Sequence, residues 1–357
     1  MQAPSPHQNP APDELRIRLA RYLATDIERF RVLASGWETT VFEFSIARSG
    51  RLAQLAAGAP LVLRCYEGAA GADKGRREYG TLARLAAARY PVPAPYLYEP
   101  STETLGAPFL IMERAAGGPL FAARSFPQAF KTFSLAFFGF VRAQTRLHRL
   151  AANGAQREAG AFTPANATAG APLLDRMLEI VAERIERGPL PGLAAALAAL
   201  RERAPQFRDA PLSIVHMDYH PQNVLVSGTR VNAVVDWVNA DCGDRHLDAA
   251  TTAVIMATHS LEHPRWMRDN LAGNSLRRMF TTLYIPLYHA LAPLDLARFR
   301  YCQAVAAVLR LSTFGMMRAR GPESVGYRRE AIAEITPAVT GLLTRYASRK
   351  NRRPVSI

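Results

Sequence analysis

The chain has 357 residues, of which 49% are hydrophobic and 21% are charged, with a formal net charge of +14 at pH 7. These proportions exclude a disordered or fibrous chain and suit about two domains or lobes with a sizeable core. The three widely spaced cysteines do not suggest a disulfide framework and fit a reducing compartment. With no apolar run of about 18 residues and no secretory signal, we expect a cytoplasmic protein without a membrane segment.

The excess of positive charge is the one unusual bulk property. Basic residues number 44, against 30 acidic ones. A basic surface can attract nucleic acid, anionic lipid or anionic substrates. The arginines, however, are spread through apolar segments with helical periodicity, and only residues 345–353 form a cluster. We therefore interpret the charge as a solvated basic surface and do not favour nucleic acid as a partner.

The first third of the chain predicts a small mixed sheet with one helix. Residues 1–12 are rich in proline and polar residues and are predicted to form a disordered tail. A helical pattern begins at Pro12 and Asp13 and continues to about Phe30. Strands and one helix then follow in the order β-β-β-α-β-β, in the segments RVLASGWETTVFEFSIA, APLVLRCYE, KGRREYGTLARLAAARY, PYLYEP and PFLIMER. Residues 13–115 are therefore predicted to form an N-terminal lobe.

From Ala116 onward the pattern becomes mainly helical. The small residues of AAGGPL form a short hinge, and NVLVSGTRVNAVVDW predicts a β-hairpin with its turn at 227–229. Residues 154–170 are predicted to be a flexible loop. Helices are predicted at about Gln128–Ala152, Pro172–Arg187 and Leu190–Arg203, and from His246 to the end. Residues 116–357 are thus predicted to form a mainly helical C-terminal lobe with an embedded hairpin, and the whole chain an α+β, bilobal fold.

The stretch at residues 213–237 carries the clearest chemistry. Asp218 and Asn223 lie in one loop, so both side chains can point into the same pocket. The hairpin then brings Asp236, at the end of its second strand, back to that place. The oxygen atoms of Asn223 and Asp236 suit Mg²⁺. Asp218 is left to accept a hydroxyl proton, which is the division of roles that phosphoryl transfer requires.

This segment, HMDYHPQNVLV followed by VVDWVNADCGDRHLD, resembles the catalytic segment of the aminoglycoside phosphotransferase and choline kinase-like family, relatives of protein kinases. The usual family pattern is HGDxxxxN followed by I/V-D-W/F. QTRLHRL, which contains His148, resembles the helix before the catalytic loop. The resemblance covers roughly residues 30–260 and implies a kinase-like bilobal fold, with Mg²⁺ and with ATP, or alternatively GTP, as the phosphoryl donor.

The resemblance also implies a set of nucleotide-binding residues. Arg64 stands where a lysine normally holds the α- and β-phosphates, and Glu78 matches its ion-pair partner. An arginine in an apolar strand needs a partner if it is buried, which favours this pair. The other predicted contacts are in the turn that covers the nucleotide (Ser35, Gly36, Thr39 and Thr40) and in the adenine hinge (Glu113 and Ala115).

The chain departs from the family pattern in three places. Arg64 replaces the lysine, the turn SGWETT has a single glycine, and Met217 and Gln222 stand where glycines are common. Arginine keeps the charge and can bind phosphate with two hydrogen bonds, but its planar group is not a point charge.

Several nearby residues have two interpretations. His216 and His148 are expected to be buried structural residues, and His220 an exposed loop residue that could instead touch substrate. Asp248 either braces the catalytic loop or caps the following helix. Asp241 and Asp244 could face an acceptor or be turn residues.

The favoured function is the transfer of the γ-phosphoryl group of ATP, or alternatively GTP, to a hydroxyl of a small molecule by a monomer or homodimer. The alternative is a pseudokinase that binds nucleotide or a partner with little or no catalysis, which the replacement at Arg64 would suit.

Overall fold

The computed structural model describes residues 11–35, 39–68, 70–120, 125–150, 171–188, 190–258, 271–327, 329, 332 and 335–348. The predicted tail up to residue 10, Gly36 and the predicted loop at 154–170 lie outside these residues, as does the side chain of Ser35. The chain divides into two compact units, Met1–Ala115 and Ala116–Ile357. No helix in the described part of the chain is both long and apolar enough to span a membrane.

The first unit is a five-stranded sheet with two helices. Its elements are α1 (Pro12–Leu23), β1 (Ile27–Ser35), β2 (Thr39–Ile46), β3 (Pro60–Tyr66), α2 (Gly71–Ala87), β4 (Pro95–Glu99) and β5 (Phe109–Glu113). Helix α1 ends at Leu23, not near Phe30 as predicted. Ala24 takes a left-handed conformation (φ 54°), and Ile27 already pairs with Ile46 of β2. The sheet ladder thus overrides the helical pattern after Leu23.

The sheet has the strand order β1-β2-β3-β5-β4, and every pair in it is antiparallel. The prediction of a mixed sheet was therefore wrong. Helix α2 does connect two strands of the same direction, as a crossover should. However, β5 lies between β3 and β4 and runs against both, so those two strands never pair directly.

Buried apolar side chains from α1 and from four of the strands form the core of the first unit. Leu15, Leu19 and Leu23 recur every four residues on one face of α1, and Phe42, Phe44 and Ile46 alternate along β2. In the central strand β3, every residue after Pro60 is buried. A charged residue in β3, such as Arg64, must therefore find its partner inside the protein.

The second unit is mainly helical. It contains β6 (Gly118–Pro119), α3 (Phe126–Leu147), α4 (Leu173–Arg187), α5 (Ala194–Arg203), β7 (Leu212–Val215), β8 (Val224–Ser227), β9 (Arg230–Val234), β10 (Asp241–Asp244), α6 (Arg245–Ala257), α7 (Leu271–Leu291), α8 (Leu296–Arg320) and α9 (Pro337–Ala347). The predicted hairpin is present as β8 and β9, and β6 pairs with β8. Strands β7 and β10 form a separate antiparallel pair.

Helices α3 and α7 pack through aromatic rings. Phe280 of α7 contacts Phe133, Phe137 and Phe140 of α3, with ring centroids 6.0, 5.1 and 5.4 Å apart. The pairs with Phe137 and Phe140 are edge-to-face and the pair with Phe133 is tilted. Aromatic pairs contribute about 0.5–1.5 kcal/mol each beyond the burial of their area. The same two helix faces continue toward the catalytic loop, where polar residues replace the phenylalanines.

Two glycines of α2 provide a matched test of how the helix packs on the sheet. A Cβ at Gly75 would lie 2.6 Å from the ring of Tyr98 and 3.0 Å from that of Tyr66, whereas a Cβ at Gly80 meets nothing within 4 Å. Both alanine substitutions gain about 1 kcal/mol of helix propensity. We expect Gly80→Ala to stabilise the protein and Gly75→Ala to destabilise it, because overpacking costs about 1–3 kcal/mol. Urea unfolding of both variants would measure this, and equal effects would contradict the packing.

Candidate functional site

The loop and hairpin of the second unit bring the predicted catalytic residues to one place. The loop between β7 and β8 carries Asp218 and Asn223, and the backbone N–H of Val235 donates to the carbonyl of Asn223 at 2.9 Å. Asp236 follows Val235 directly and takes a left-handed conformation with φ 66°. The end of β9 therefore lies beside Asn223, as the sequence spacing indicated.

Within the loop, Asn223 is hydrogen-bonded to Asp218. Its amide nitrogen Nδ2 donates to the backbone carbonyl of Asp218 at 3.0 Å and to the carboxylate Oδ2 at 3.2 Å. These acceptors orient the amide so that its carbonyl oxygen Oδ1 points elsewhere. The Asp218 side chain is 30% exposed, so its carboxylate can be reached by a ligand.

His216 is structural, as expected. It is fully buried, and its Nε2 lies 3.0 Å from the carbonyl of Val235, to which it donates. Its Nδ1 accepts from the backbone N–H of Asp218 at 3.3 Å. One imidazole thus connects the loop of Asp218 to the end of the hairpin.

Met217 takes a left-handed conformation with φ 62°, which is the reason that glycine suits this position. Its backbone N–H donates to Oδ1 of Asp248 at 2.6 Å. Of the two roles considered for Asp248, the structure therefore shows the brace of the catalytic loop. The side chain that caps α6 is that of Asp244, which accepts from the backbone N–H of His246 at 2.8 Å.

Asp248 is fully buried, and further partners compensate its charge. Its Oδ2 accepts from Nε2 of His148 at 2.8 Å and from Nε2 of Gln144 at 3.1 Å. Burial alone raises the pKa of a carboxyl group. At Asp248 the hydrogen bonds from His148 and Gln144 and the nearby charges of His148 and His216 outweigh burial, and the net pKa is lowered.

Sequence analysis missed the hydrogen-bonding roles of Gln144 and His148 and of two tyrosines of α7. Tyr288 lies with its hydroxyl 2.5 Å from Nδ1 of His148, and the hydroxyl of Tyr284 donates to Oε1 of Gln144 at 2.6 Å. Gln144 and His148 are four residues apart, as are Tyr284 and Tyr288, and the neighbouring residues at this spacing are otherwise apolar. Polar residues at such spacing in a buried stripe are a signal that could have identified them.

Asp241 and Asp244 do not have the contacts expected of residues that face an acceptor. Arg176 of α4 binds both carboxylate oxygens of Asp241, at 2.8 and 2.9 Å, and the Asp241 side chain is only 5% exposed. Asp244 contacts His246 Nδ1 at 2.6 Å and Arg298 at 3.1 Å. Burial opposes ionisation of Asp244, but the hydrogen bond and charge of His246 and the bond from Arg298 lower its pKa overall.

His220 is buried, not exposed as expected. Its Nδ1 lies 3.3 Å from the backbone N–H of Gln222, and its Nε2 lies 3.2 Å from Nδ2 of Asn223. These contacts close the short 3-10 turn that contains Asn223. The ring therefore orients the loop, and its Nε2 is 3.6 Å from Oδ2 of Asp218.

In the first unit, the predicted ion pair between Arg64 and Glu78 is present and buried. The guanidinium NH1 lies 3.1 Å from Glu78 Oε1, and the two side chains are 10% and 1% exposed. The second carboxylate oxygen of Glu78 accepts from the hydroxyl of Tyr66 at 2.6 Å, a contact that was not predicted. Tyr66 is two residues after Arg64 on the same face of β3, so both side chains reach the same carboxylate.

The other predicted nucleotide contacts are at strand ends of the first unit. Thr39 and Thr40 begin β2, and the Thr40 hydroxyl donates to Glu67 at 2.9 Å. Glu113 ends β5 with an exposed side chain that accepts from the backbone N–H of Ala94 at 3.2 Å. The carbonyl of Ala115 accepts from Arg114 at 2.6 Å. Their contact with a nucleotide remains a prediction.

The donor set suits a magnesium ion. The described residues contain no group of three or more His, Cys, Asp or Glu side chains arranged to hold a metal. The pair predicted here is different, because it consists of one amide oxygen and one carboxylate. Asn223 uses its amide nitrogen within the loop, so its hard oxygen donor is Oδ1, and Asp236 directly follows the residue that binds the Asn223 backbone carbonyl. Mg²⁺ typically takes one or two protein oxygens and completes its shell with water and phosphate.

Comparison with known proteins supports the kinase-like interpretation. The model of the phosphotransferase enzyme family matches residues 29–294, which is well over half of the chain. No match was found among curated protein sequences.

Several solved structures share the fold. A candidate aminoglycoside phosphotransferase of Ralstonia eutropha JMP134 superposes with a TM-score of 0.61 at 17% identity, over 94% of this chain and 98% of that one. A thermostable mutant of aminoglycoside phosphotransferase APH(4)-Ia, in complex with ADP and hygromycin B, gives 0.59 at 18% identity, over 94% and 99%. The enzyme APH(3'')-Id of Streptomyces rimosus gives 0.54 at 15% identity, over 83% and 97%. The predicted bilobal, kinase-like α+β fold is thus confirmed.

The buried charge of Asp248 predicts a pH-dependent effect on stability. Since its pKa in the folded protein is below the ordinary value of 3.8, the ionised carboxylate stabilises the fold above that pH, and this contribution is lost as the pH falls through the folded pKa. We expect Asp248→Asn to lower the free energy of unfolding by about 3 kcal/mol at pH 7, because it removes one partner of a buried charged network. The difference in the free energy of unfolding between the variant and the wild type should become smaller below pH 4.

Urea unfolding of both proteins at pH 7, 5, 4 and 3 would measure this difference. An equal loss at pH 3 and pH 7 would contradict the assignment of an ionised, stabilising carboxylate at position 248.

Proposed function

Because the chain belongs to the phosphotransferase enzyme family, we propose that it transfers the γ-phosphoryl group of ATP to a hydroxyl group of a small molecule. The observation that carries the proposal is the arrangement of Asp218, Asn223 and Asp236 on one loop and one hairpin end. An isolated Asp-Asn pair is common in turns. A pair that also lies beside a second acidic residue, on a loop held by buried hydrogen bonds, favours phosphoryl transfer.

Asp218 is the proposed base that orients the acceptor. Its Oδ2 is hydrogen-bonded to Asn223, so Oδ1 of the partly exposed carboxylate can accept the proton of an acceptor hydroxyl. In phosphoryl transfer most of the rate comes from positioning and from charge neutralisation. The rigid attachment of Asp218 therefore matters as much as its basicity.

Asn223 and Asp236 are the proposed magnesium ligands, through Oδ1 and the carboxylate. Bound there, Mg²⁺ would neutralise the charge of the nucleotide phosphates. The chain's own contribution is to hold these two oxygens in place. The backbone carbonyl of Asn223 accepts from the Val235 N–H, and its side-chain amide nitrogen donates to Asp218.

Arg64 is the proposed contact to the α- and β-phosphates. Glu78 binds the guanidinium with one carboxylate oxygen and accepts from the Tyr66 hydroxyl with the other. A guanidinium oriented in this way can bind phosphate oxygens with two hydrogen bonds. We propose further nucleotide contacts from Ser35, Gly36, Thr39 and Thr40, and from Glu113 and Ala115 at the end of β5.

The class of acceptor is the least constrained part of the proposal. The structural neighbour solved with ADP and hygromycin B suggests ATP as the donor and aminoglycosides as a first group of acceptors to test. Aminoglycosides are polycations and require a locally acidic site, whereas this chain carries a net charge of +14, and Asp241 and Asp244 are engaged by arginines. Sugars, amino alcohols and macrolides therefore belong in the same panel.

The replacement of lysine by Arg64 favours one alternative, a pseudokinase that binds nucleotide without efficient transfer. The presence of Asp218, Asn223 and Asp236 together argues against it. Both alternatives predict nucleotide binding, and only the proposed function predicts turnover that depends on Asp218.

The first experiment measures nucleotide and metal binding. We expect the melting temperature to rise by several degrees with ATP and Mg²⁺, since a ligand at 100 times its Kd adds about 2.7 kcal/mol. Asp236→Asn should lose the part of the rise that depends on Mg²⁺. Comparing the rise in melting temperature with GTP and with ATP would identify the preferred phosphoryl donor. The absence of a shift with either nucleotide would count against the proposal.

The second experiment tests the proposed base. Asp218→Asn should lower turnover at least about 10²-fold, because proton transfer by a positioned side chain contributes on that order or more. The rise in melting temperature with ATP and Mg²⁺ should be nearly unchanged. Asp209→Asn, which alters an exposed aspartate of the same unit, is the matched control. Full activity of Asp218→Asn in an assay of phosphate release or of acceptor phosphorylation would refute the assigned role.

A further inference from the structure

The residues on both sides of Asp218 are held through their backbones by side chains of α6. The N–H of Met217 donates to Oδ1 of Asp248 at 2.6 Å, and the carbonyl of Tyr219 accepts from the hydroxyl of Thr252 at 2.8 Å. Asp248 and Thr252 are one helical turn apart, and both are fully buried. The backbone of Asp218 is thus fixed on its two sides from one helix face.

These two α6 side chains are held in turn by Gln144 of α3 and by His148, which directly follows that helix. His148 donates from Nε2 to Asp248 at 2.8 Å. The amide nitrogen of Gln144 donates one hydrogen to Asp248 at 3.1 Å and the other to the hydroxyl oxygen of Thr252 at 3.0 Å. Gln144 therefore links the supports on both sides of Asp218, and each of its two N–H groups has an acceptor.

Two tyrosines of α7 complete the arrangement. Tyr288 contacts Nδ1 of His148 at 2.5 Å, and Tyr284 donates to Oε1 of Gln144 at 2.6 Å. Both tyrosines are fully buried. Two chains of hydrogen bonds thus run from α7 to the catalytic loop, through Tyr288, His148, Asp248 and Met217, and through Tyr284, Gln144, Thr252 and Tyr219.

The directions of the hydrogen bonds at Gln144 are determined by its partners. Oε1 of Gln144 accepts from Tyr284, so its nitrogen must face Asp248 and Thr252. Without the Tyr284 hydroxyl, the buried Oε1 would lack its donor, and the amide could rotate and present its oxygen to the carboxylate. Likewise, the Tyr288 hydroxyl contacts Nδ1 of His148 and holds the ring with Nε2 facing Asp248.

We infer that Tyr284 and Tyr288 of α7 are positioning residues that hold Asp218 in its reactive orientation through Gln144 and His148. The inference rests on the proposed role of Asp218 as the base. Neither tyrosine contacts Asp218, so the effect passes entirely through buried hydrogen bonds. Because small displacements of a reacting group are costly, losing either hydroxyl should reduce turnover more than it reduces nucleotide binding.

The test uses three tyrosine-to-phenylalanine variants of the full chain. Tyr284→Phe and Tyr288→Phe each remove one hydroxyl from the two chains. Tyr301→Phe is the matched control, because Tyr301 is also buried and donates to a backbone carbonyl, that of Leu200 at 2.9 Å, outside these chains. All three variants should lose a similar amount of thermal stability, since each loses one buried hydrogen bond.

Activity is measured as phosphate release from MgATP, with water as the acceptor. We expect kcat to fall roughly 10- to 100-fold in Tyr284→Phe and Tyr288→Phe. KM for MgATP should change little in these variants, and Tyr301→Phe should retain the wild-type kcat. A purely structural role would instead give equal activity in all three variants.

A second readout does not depend on activity. In protein labelled with ¹⁵N-methionine, the amide resonance of Met217 reports its hydrogen bond to Asp248, and Met217→Leu assigns it among the nine methionines. Tyr288→Phe should shift this resonance, whereas Tyr301→Phe should not. If one of the two variants Tyr284→Phe and Tyr288→Phe does not fold, the other provides the same test through its own series of hydrogen bonds.

The outcomes distinguish a failure of the proposed function from a failure of the inference about Tyr284 and Tyr288. Wild-type phosphate release no greater than that of Asp218→Asn would overturn the proposed function, and the Met217 resonance would then decide whether α7 positions the loop. An active wild-type enzyme, with kcat and the Met217 resonance unchanged in both tyrosine variants, would overturn the inference and leave the proposed function intact.

Discussion

The geometry of the loop that carries Asp218 depends on the hydrogen bonds of the buried Asp248 carboxylate. This carboxylate holds the backbone N–H of Met217 at 2.6 Å while that residue is in a left-handed conformation. Such a conformation costs a non-glycine residue about 1–3 kcal/mol, and a hydrogen bond to a buried ionised group is strong enough to offset this cost. Asp218 comes directly after Met217, so its position follows from that hydrogen bond. The packing of α3 and α7 therefore supports the loop that carries Asp218, although neither helix contributes a residue to that loop.

Each of the two units contains a buried carboxylate that binds different partners with its two oxygens. In the first unit Glu78 is buried and binds Arg64 with one oxygen and Tyr66 with the other. In the second unit Asp248 divides its oxygens between the catalytic loop and helix α3. A buried carboxylate is stable only when its hydrogen-bonding capacity is used, and its partners are then held in fixed directions. Each unit thereby fixes a predicted site residue, Arg64 or Asp218, through a buried carboxylate.

The parts of the site that sequence analysis predicted correctly depend on short separations along the chain. Asp218 and Asn223 are five residues apart in one loop, and the hairpin that returns to Asp236 has a recognisable turn. The Arg64–Glu78 pair followed from the need of a buried charge for a partner. Two incorrect predictions concern strand pairing, which local sequence patterns do not record: the sheet is antiparallel because β5 inserts between β3 and β4, and α1 ends where β1 pairs with β2. The prediction of an exposed His220 is wrong because its ring is buried against Gln222 and Asn223 of the same loop.

The sequence by itself determined the order of elements and the loop and hairpin with their acidic and amide residues, because periodicity and local spacing record these directly. The resemblance of its motifs to a known pattern indicated the family. Only the tertiary structure decided which buried polar groups support the loop and hairpin. Gln144, His148, Tyr284 and Tyr288 lie on helix faces that otherwise indicate core packing. Their contacts with one another join residues up to 140 positions apart. Hydrogen bonds have strict requirements of distance and direction, and only the packed positions of α3, α6 and α7 show that these requirements are met.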